Sequence, residues 1–157
     1  MASRPIVRIS TVRRKTASIW LLLNLSLARR VLDMDGLLAI AIDPCYISKA
    51  GKKTPHIGRF WSGCAGAVKH GLEIMGIGLL DVVNNKCMML RAHQTIGNSA
   101  LKMRNKTLVE YYISVMKRYS KKLLSITDIV VADAFFSTST FREGHVGAWL
   151  LYSQPLP

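Results

Sequence analysis

Two aspartates each follow a short apolar run, an arrangement that could bind a metal ion. Residues 37–42 (LLAIAI) end at Asp43, and residues 129–132 (IVVA) end at Asp133. Runs that are apolar on both alternating faces are typical of strands buried within a sheet. If these strands are parallel neighbours, the two carboxylates meet at one sheet edge, where hard oxygen ligands would bind magnesium. The alternative is that nearby backbone groups satisfy each carboxylate separately.

Pro44 predicts that the first of these strands ends at Asp43. Proline lacks the N–H that a strand ladder uses, and it disfavours helical backbone in the residue before it. The glycine and lysines that follow suggest a phosphate loop, but Tyr46 stands where a Walker motif needs glycine. We therefore exclude nucleotide binding there and expect a turn that is either solvated or in contact with a DNA backbone.

Composition favours a single basic domain. The chain has 157 residues, half of them apolar, and 22 Lys and Arg residues against nine Asp and Glu give a formal net charge of +13. Such a charge points to polyanionic partners, nucleic acid first and an acidic membrane surface second. The three cysteines, Cys45, Cys64 and Cys87, fit neither a disulfide framework nor a paired metal-ligand spacing, so we expect reduced thiols in a cytoplasmic chain.

Residues 1–35 are predicted to form a basic N-terminal helical segment. Within it, residues 16–32 form a helix, because Trp20, Leu23, Leu27 and Val31 recur at helical spacing. A signal peptide is the alternative. Against it, two arginines follow the apolar run directly, and the run is too short to span a bilayer.

The middle of the chain predicts a hairpin followed by a helix. Residues 72–83 and 86–95 are apolar segments on either side of an Asn-Asn turn, which is a hairpin pattern. Residues 107–125 begin with a possible capping box of Thr107 and Glu110, and apolar residues then repeat at helical spacing. Before the hairpin, Phe60 and Trp61 could stack on a base, although packing within the protein is the favoured interpretation.

The predicted order of elements indicates an α/β domain. A meander of three strands, then a helical crossover that sets a fourth strand parallel to the first, is the ribonuclease-H-like arrangement. We place this domain at residues 36–144 and expect a mixed sheet. In that arrangement the strands that carry Asp43 and Asp133 are neighbours.

The same stretches resemble a known enzyme family. The segments AIDPCYISKAGKKTPHIGRFWSGCAG, GLEIMGIGLLDVVNN and IVVADAFFS, with the tyrosine-rich helix between the last two, look like the catalytic domain of bacterial insertion-sequence transposases of the DDE class. The resemblance covers about residues 37–144, and its first block is the specific part. Asp43 matches the family's first catalytic aspartate, and Asp133 matches the second.

The resemblance implies an enzyme that uses Mg²⁺ or Mn²⁺ to cut transposon ends and join the freed 3′ hydroxyl to target DNA. DNA is then the partner, with no small-molecule substrate and no membrane, and complete family members act as homo-oligomers. Our candidates for DNA contact are Lys49, Lys52, Lys53 and Arg59. Two-metal phosphoryl transfer suits a carboxylate site, because metal ions rather than side chains carry most of that chemistry.

The chain departs from the family pattern after its second aspartate. The family's third carboxylate is a glutamate on a later helix, and Glu143 is the only acidic residue that follows Asp133. Its spacing favours a helix cap rather than catalysis. We therefore expect a truncated, incomplete ribonuclease-H-like domain that is inactive as this chain, followed by an unstructured or non-native tail at residues 145–157. A non-catalytic DNA-binding remnant and, less favoured, a secreted or membrane-associated protein are the alternatives.

Overall fold

The protein has a mixed α/β architecture, as predicted. The computed structural model describes the backbone of residues 9–51, 53–133, 136 and 150–152, and the side chains of residues 19–51, 53–133 and 136. The helices and strands in chain order are α1 (Ile9–Val31), β1 (Leu38–Ser48), β2 (Gly58–Ser62), β3 (Ala67–Asp81), β4 (Lys86–Gln94), α2 (Asn98–Met103), α3 (Leu108–Leu123), β5 (Ile129–Ala132) and β6 (Leu150–Tyr152).

The six strands of the described residues belong to one sheet. Its order is β2-β3-β1-β5-β6, and β4 also pairs with β3. The long strand β3 is antiparallel to β1, while β2 and β4 pair with successive stretches of its other edge. The β3–β4 pairing confirms the predicted hairpin. Strand β5 is parallel to β1, which confirms that the two strands preceding the aspartates are parallel neighbours.

Strand β1 continues past Asp43, so the prediction that Pro44 ends it was wrong. Its antiparallel pairing with β3 extends to Ser48 and includes Pro44 opposite Met75. On its other side, β1 pairs with β5 only through Ile42. From Pro44 onward, β1 therefore has a paired neighbour on one side only within the described chain, and proline is tolerated where a strand has such an open side.

Helix α3 begins with the predicted cap and covers one face of the sheet. The Thr107 hydroxyl oxygen accepts a hydrogen bond from the Glu110 N–H at 3.2 Å, and the Glu110 carboxylate accepts one from the Thr107 N–H at 2.7 Å. The buried side of α3 includes Tyr112, Met116 and Leu123, which belong to the same core as residues of β1 and β3. This apolar stripe is the one that the sequence predicted.

Helix α1 is confirmed over residues 16–31, but its buried side is not the stripe that defined it in the sequence. The core contains Leu21, Leu25, Ala28 and Leu32. The residues that carried the prediction are exposed; Trp20 and Val31, for example, retain 53% and 55% of their accessible surface. This segment is apolar around most of its circumference, so periodicity alone does not select the face that packs.

Strand β6 lies within the segment expected to be an unstructured or non-native tail. Residues 150–152 pair with β5 in parallel register, from Ile129 opposite Leu150 to Val131 opposite Tyr152. At these three residues the backbone forms a strand of the sheet, while the expectation of an unstructured or non-native tail at residues 145–157 stays a prediction. The apolar Leu-Leu-Tyr triplet is a strand-compatible sequence, which was too short to stand out as a periodic pattern.

Candidate metal and nucleic-acid site

The two predicted catalytic aspartates lie next to each other on neighbouring strands, Asp43 within β1 and Asp133 directly after β5. The register of β1 and β5 pairs Ile42 with Ala132, and Asp43 and Asp133 are the residues that follow. Both are exposed. Partial burial raises the pKa of the Asp43 carboxyl above its usual value, and the negative charge of Asp133 raises it further. The two carboxylates are thus close enough to repel each other.

This edge of the sheet suits a hard divalent cation. Gly76 is the residue of β3 opposite Asp43, and a Cβ added at Gly76 would lie 3.3 Å from Met89 Cε, so Met89 of β4 covers this glycine. Mg²⁺ is commonly held by one or two carboxylates, with water and phosphate oxygens completing its coordination. A cation would also offset the repulsion between Asp43 and Asp133. Within the described residues, no group of three or more His, Cys, Asp and Glu side chains could hold a metal ion, so the fit rests on this pair.

A cavity of about 490 Å³ adjoins Asp133. Its walls are mainly apolar and aromatic, and they also include one basic side chain, Arg59, and two acidic residues, Glu73 and Asp133. The lining residues are Pro44, Arg59, Phe60, Trp61, Val68, Glu73, Asn98, Leu108, Tyr112, Asp133 and Phe136. Clefts of this size and composition are typical of binding sites. The cavity connects the second aspartate with Arg59, one of the predicted DNA contacts.

A buried carboxylate in the cavity wall is held by a tyrosine. The Glu73 side chain is only 6% exposed, and the hydroxyl of Tyr112, which is fully buried, donates a short hydrogen bond to Glu73 Oε1. Burial raises the pKa of the Tyr112 hydroxyl far above its usual value, and the bond to Glu73 and its charge raise it further. Tyr112 therefore remains a protonated donor.

The predicted DNA contacts lie along the extended end of β1 and in β2. Ser48 and Gly58 pair with Gly71 from its two sides, and Lys49 directly follows Ser48. Ser48 is five residues beyond Asp43, roughly 17 Å along the strand. Lys53 is exposed in the loop between β1 and β2, and Arg59 is exposed on β2. These cations therefore lie toward the far end of β1 from the aspartate pair, in the following loop and in β2. Lys52 lies outside the described residues.

The two aromatic residues of β2 have different environments. Phe60 is 4% exposed and Trp61 is 61% exposed, although both contribute to the cavity wall. The prediction of packing within the protein is therefore confirmed for Phe60, whereas Trp61 is exposed to solvent. Glu143, the alternative third carboxylate, lies outside the described residues.

Sequence reasoning did not single out the Glu73–Tyr112 pair. One signal was available, because Glu73 alternates with Met75, Ile77 and Leu79, which are all buried on β3. Period-two alternation places a residue at this position on the inner face of a strand. A carboxylate there requires a donor. The identity of that donor, 39 residues further along the chain, could not be read from local sequence.

Comparisons with known protein families, with curated proteins and with solved structures found no match to this chain. In the described part of the chain, no helix has both the length and the apolar character that crossing a membrane requires.

Proposed function

We propose that the protein is a DNA-binding chain of the DDE transposase class, with a ribonuclease-H-like domain whose Asp43 and Asp133 bind Mg²⁺ or Mn²⁺. The observation that carries this proposal is the parallel pairing of β1 with β5, which brings the two aspartates together. Support for the fold comes from the strand order, in which β4, β3 and β1 are successive antiparallel neighbours and β5 follows α3 to lie parallel to β1.

The proposed role is in DNA transposition by metal-dependent cleavage and strand transfer at transposon ends. When bound, the metal ions would supply charge stabilisation and an activated oxygen for phosphoryl transfer. Asp43 and Asp133 would hold the ion, with water and phosphate oxygens completing its coordination. Lys49, Lys53 and Arg59 would hold the DNA backbone, for which the net charge of +13 supplies long-range attraction.

We further propose that this chain alone does not cleave or join DNA at a useful rate. In-line phosphoryl transfer depends on fixed positions for the metal ions and the attacking oxygen, and two aspartates fix them incompletely. A loss of positioning can cost on the order of a hundredfold in rate. Non-catalytic DNA binding is therefore the second candidate function, favoured by the excess of basic residues.

Binding and cleavage of a labelled DNA duplex test these proposals together. We expect affinity to fall steeply as salt rises, with little dependence on DNA sequence. We also expect Mg²⁺ or Mn²⁺ to strengthen binding by the wild type but not by Asp43→Asn. Asp128→Asn is the matched control, since it removes the same charge from an exposed residue just before β5.

Two results would count against the proposals. Failure to bind DNA at low salt would overturn the proposed function. Metal-dependent cleavage that is lost in both Asp43→Asn and Glu143→Gln would show that Glu143 supplies a third carboxylate and that the chain is active.

A further inference from the structure

The cavity beside Asp133 contains a carboxylate oxygen that no donor of the described residues binds. Glu73 is 6% exposed and belongs to the cavity wall. Its Oε1 accepts the hydrogen bond from Tyr112, and Oε2 accepts none within the described part of the chain. Oε2 is also not among the fully enclosed polar atoms that lack a partner. It therefore keeps access to the cavity.

The charge of the Glu73 carboxylate has no counterion among the described residues. Arg59 belongs to the same cavity wall, but its side chain is exposed and forms no ion pair with Glu73. Burying a carboxylate is costly unless a cation and hydrogen-bond donors compensate for the lost water. Tyr112 supplies one neutral donor. A positively charged donor in the cavity would supply what remains.

Buried aromatic rings form much of the wall around this carboxylate. Phe60 is 4% exposed, and Tyr112 and Phe136 are fully buried. The rings of Tyr112 and Phe136 lie with their centroids 5.4 Å apart, tilted by 49°. Aromatic rings attract cations through their negative faces, most strongly where water is excluded. The volume of about 490 Å³ is within the range of small-molecule sites.

We propose that this cavity binds an aliphatic ammonium group, with Glu73 Oε2 as its acceptor and the aromatic wall against its methylene groups. An ammonium group donates hydrogen bonds and carries the charge that Glu73 lacks. Glu73 and Asp133 face one basic residue, Arg59, in the wall, which disfavours anionic ligands. This inference goes beyond the proposed function and does not depend on it.

Two pairs of probes define the ligand by calorimetric titration in a buffer without divalent cations or other amines. n-Butylamine and n-butanol have the same chain length and differ in charge at neutral pH. Ammonium groups occur both in free polyamines and in lysine side chains, so spermidine and Nα-acetyl-lysine amide separate these two sources. The tighter ligand of this second pair identifies the source.

Three variants assign the binding to the cavity. Glu73→Gln removes the charge and keeps an oxygen that can accept from Tyr112. Asp128→Asn is the matched control, because it removes a negative charge from an exposed residue just before β5. Arg59→Gln removes the basic side chain of the wall.

We expect n-butylamine to bind the wild type at least about tenfold more tightly than n-butanol, as a charge-assisted hydrogen bond predicts. Glu73→Gln should lose about tenfold in n-butylamine affinity, and Asp128→Asn should lose less than about threefold. Arg59→Gln should strengthen n-butylamine binding by about twofold, because it removes a like charge. The same variant should weaken DNA binding if the proposed function is correct, so the two proposals have opposite readouts.

Equal affinity of the wild type for n-butylamine and n-butanol would overturn the site, and this comparison needs no variant to fold. An equal loss in Glu73→Gln and Asp128→Asn would overturn it as well. Guanosine serves as a neutral aromatic probe that also carries N–H donors. Binding of guanosine that depends on Glu73, without binding of any amine, would refute the ammonium ligand.

Discussion

Replacing Tyr112 by phenylalanine should destabilise the protein by removing the donor of the buried Glu73 carboxylate. The ring of Tyr112 is fully buried and Glu73 is 6% exposed, so only water inside the adjoining cavity could replace the lost hydroxyl. Leaving a buried acceptor without its donor costs about 1–3 kcal/mol, and hydrogen bonds to charged groups lie toward the upper part of that range. We therefore expect Tyr112→Phe to lower the free energy of unfolding by about 2 kcal/mol.

Tyr119→Phe is the matched control for this prediction. Tyr119 lies on the same helix and is 5% exposed, but its hydroxyl forms no hydrogen bond within the described residues. Removing an unpaired buried hydroxyl should change the free energy of unfolding by less than about 0.5 kcal/mol, or even increase stability. The two substitutions remove the same atom from two buried tyrosine rings, so packing losses are similar.

Urea denaturation in phosphate-free buffer measures both variants. With a slope of about 1–3 kcal/mol per molar urea, a loss of 2 kcal/mol moves the midpoint by about 1 M. A double-mutant cycle with Glu73→Gln then isolates the energy of the pair. Equal midpoints for Tyr112→Phe and the wild type, or an equal loss in Tyr119→Phe, would refute the proposed role of Tyr112.

Three further predictions concern stability. Gly71→Ala should cost about 1–3 kcal/mol, because the added Cβ would lie 2.7 Å from Tyr46 Cε2, whereas Gly63→Ala, with no neighbouring atom within 4 Å, should be nearly neutral in the same urea assay. Thr107→Ala should cost about 1 kcal/mol by removing the α3 cap, and Thr107→Ser should restore most of it. His93, with its pKa lowered to about 4, should make the free energy of unfolding fall as pH drops from about 6.5 to 4, because only the unfolded chain then binds the proton. Partial solvent exposure limits this fall to about 1–2 kcal/mol, and His93→Gln should flatten it; an unchanged pH profile in that variant would contradict the assignment.

Local patterns were sufficient to predict several elements of the fold. The hairpin of β3 and β4, the α3 cap and the pairing of the strands before Asp43 and Asp133 follow from alternation, capping residues and the handedness of crossovers. Each depends on residues near one another in sequence or on a general rule of topology. For this reason the proximity of Asp43 and Asp133 could be predicted from the sequence alone.

The remaining features depend on contacts between distant segments. Strand β1 tolerates Pro44 because β5 ends beside it and leaves that side of β1 unpaired within the described chain. The buried face of α1 is set by packing against the core, and the helix sequence does not specify that face because it is apolar around most of the helix. The Glu73–Tyr112 bond and the His93–Tyr111 contact join residues 39 and 18 positions apart. Such pairings follow from the assembled sheet and helix.

The most direct test of the central claim is Mn²⁺ binding measured by electron paramagnetic resonance of the free ion. The wild type should remove free Mn²⁺ from solution, and Mg²⁺ should compete for the same site. Loss of a ligand in Asp43→Asn or Asp133→Asn should weaken Mn²⁺ binding by at least about tenfold, since even residues behind the ligands can cost that much. Asp128→Asn, which removes an equal charge outside the site, should bind Mn²⁺ as the wild type does. Identical titrations for the wild type and Asp43→Asn, or an equal loss in Asp128→Asn, would contradict a metal site built from Asp43 of β1 and Asp133 after β5.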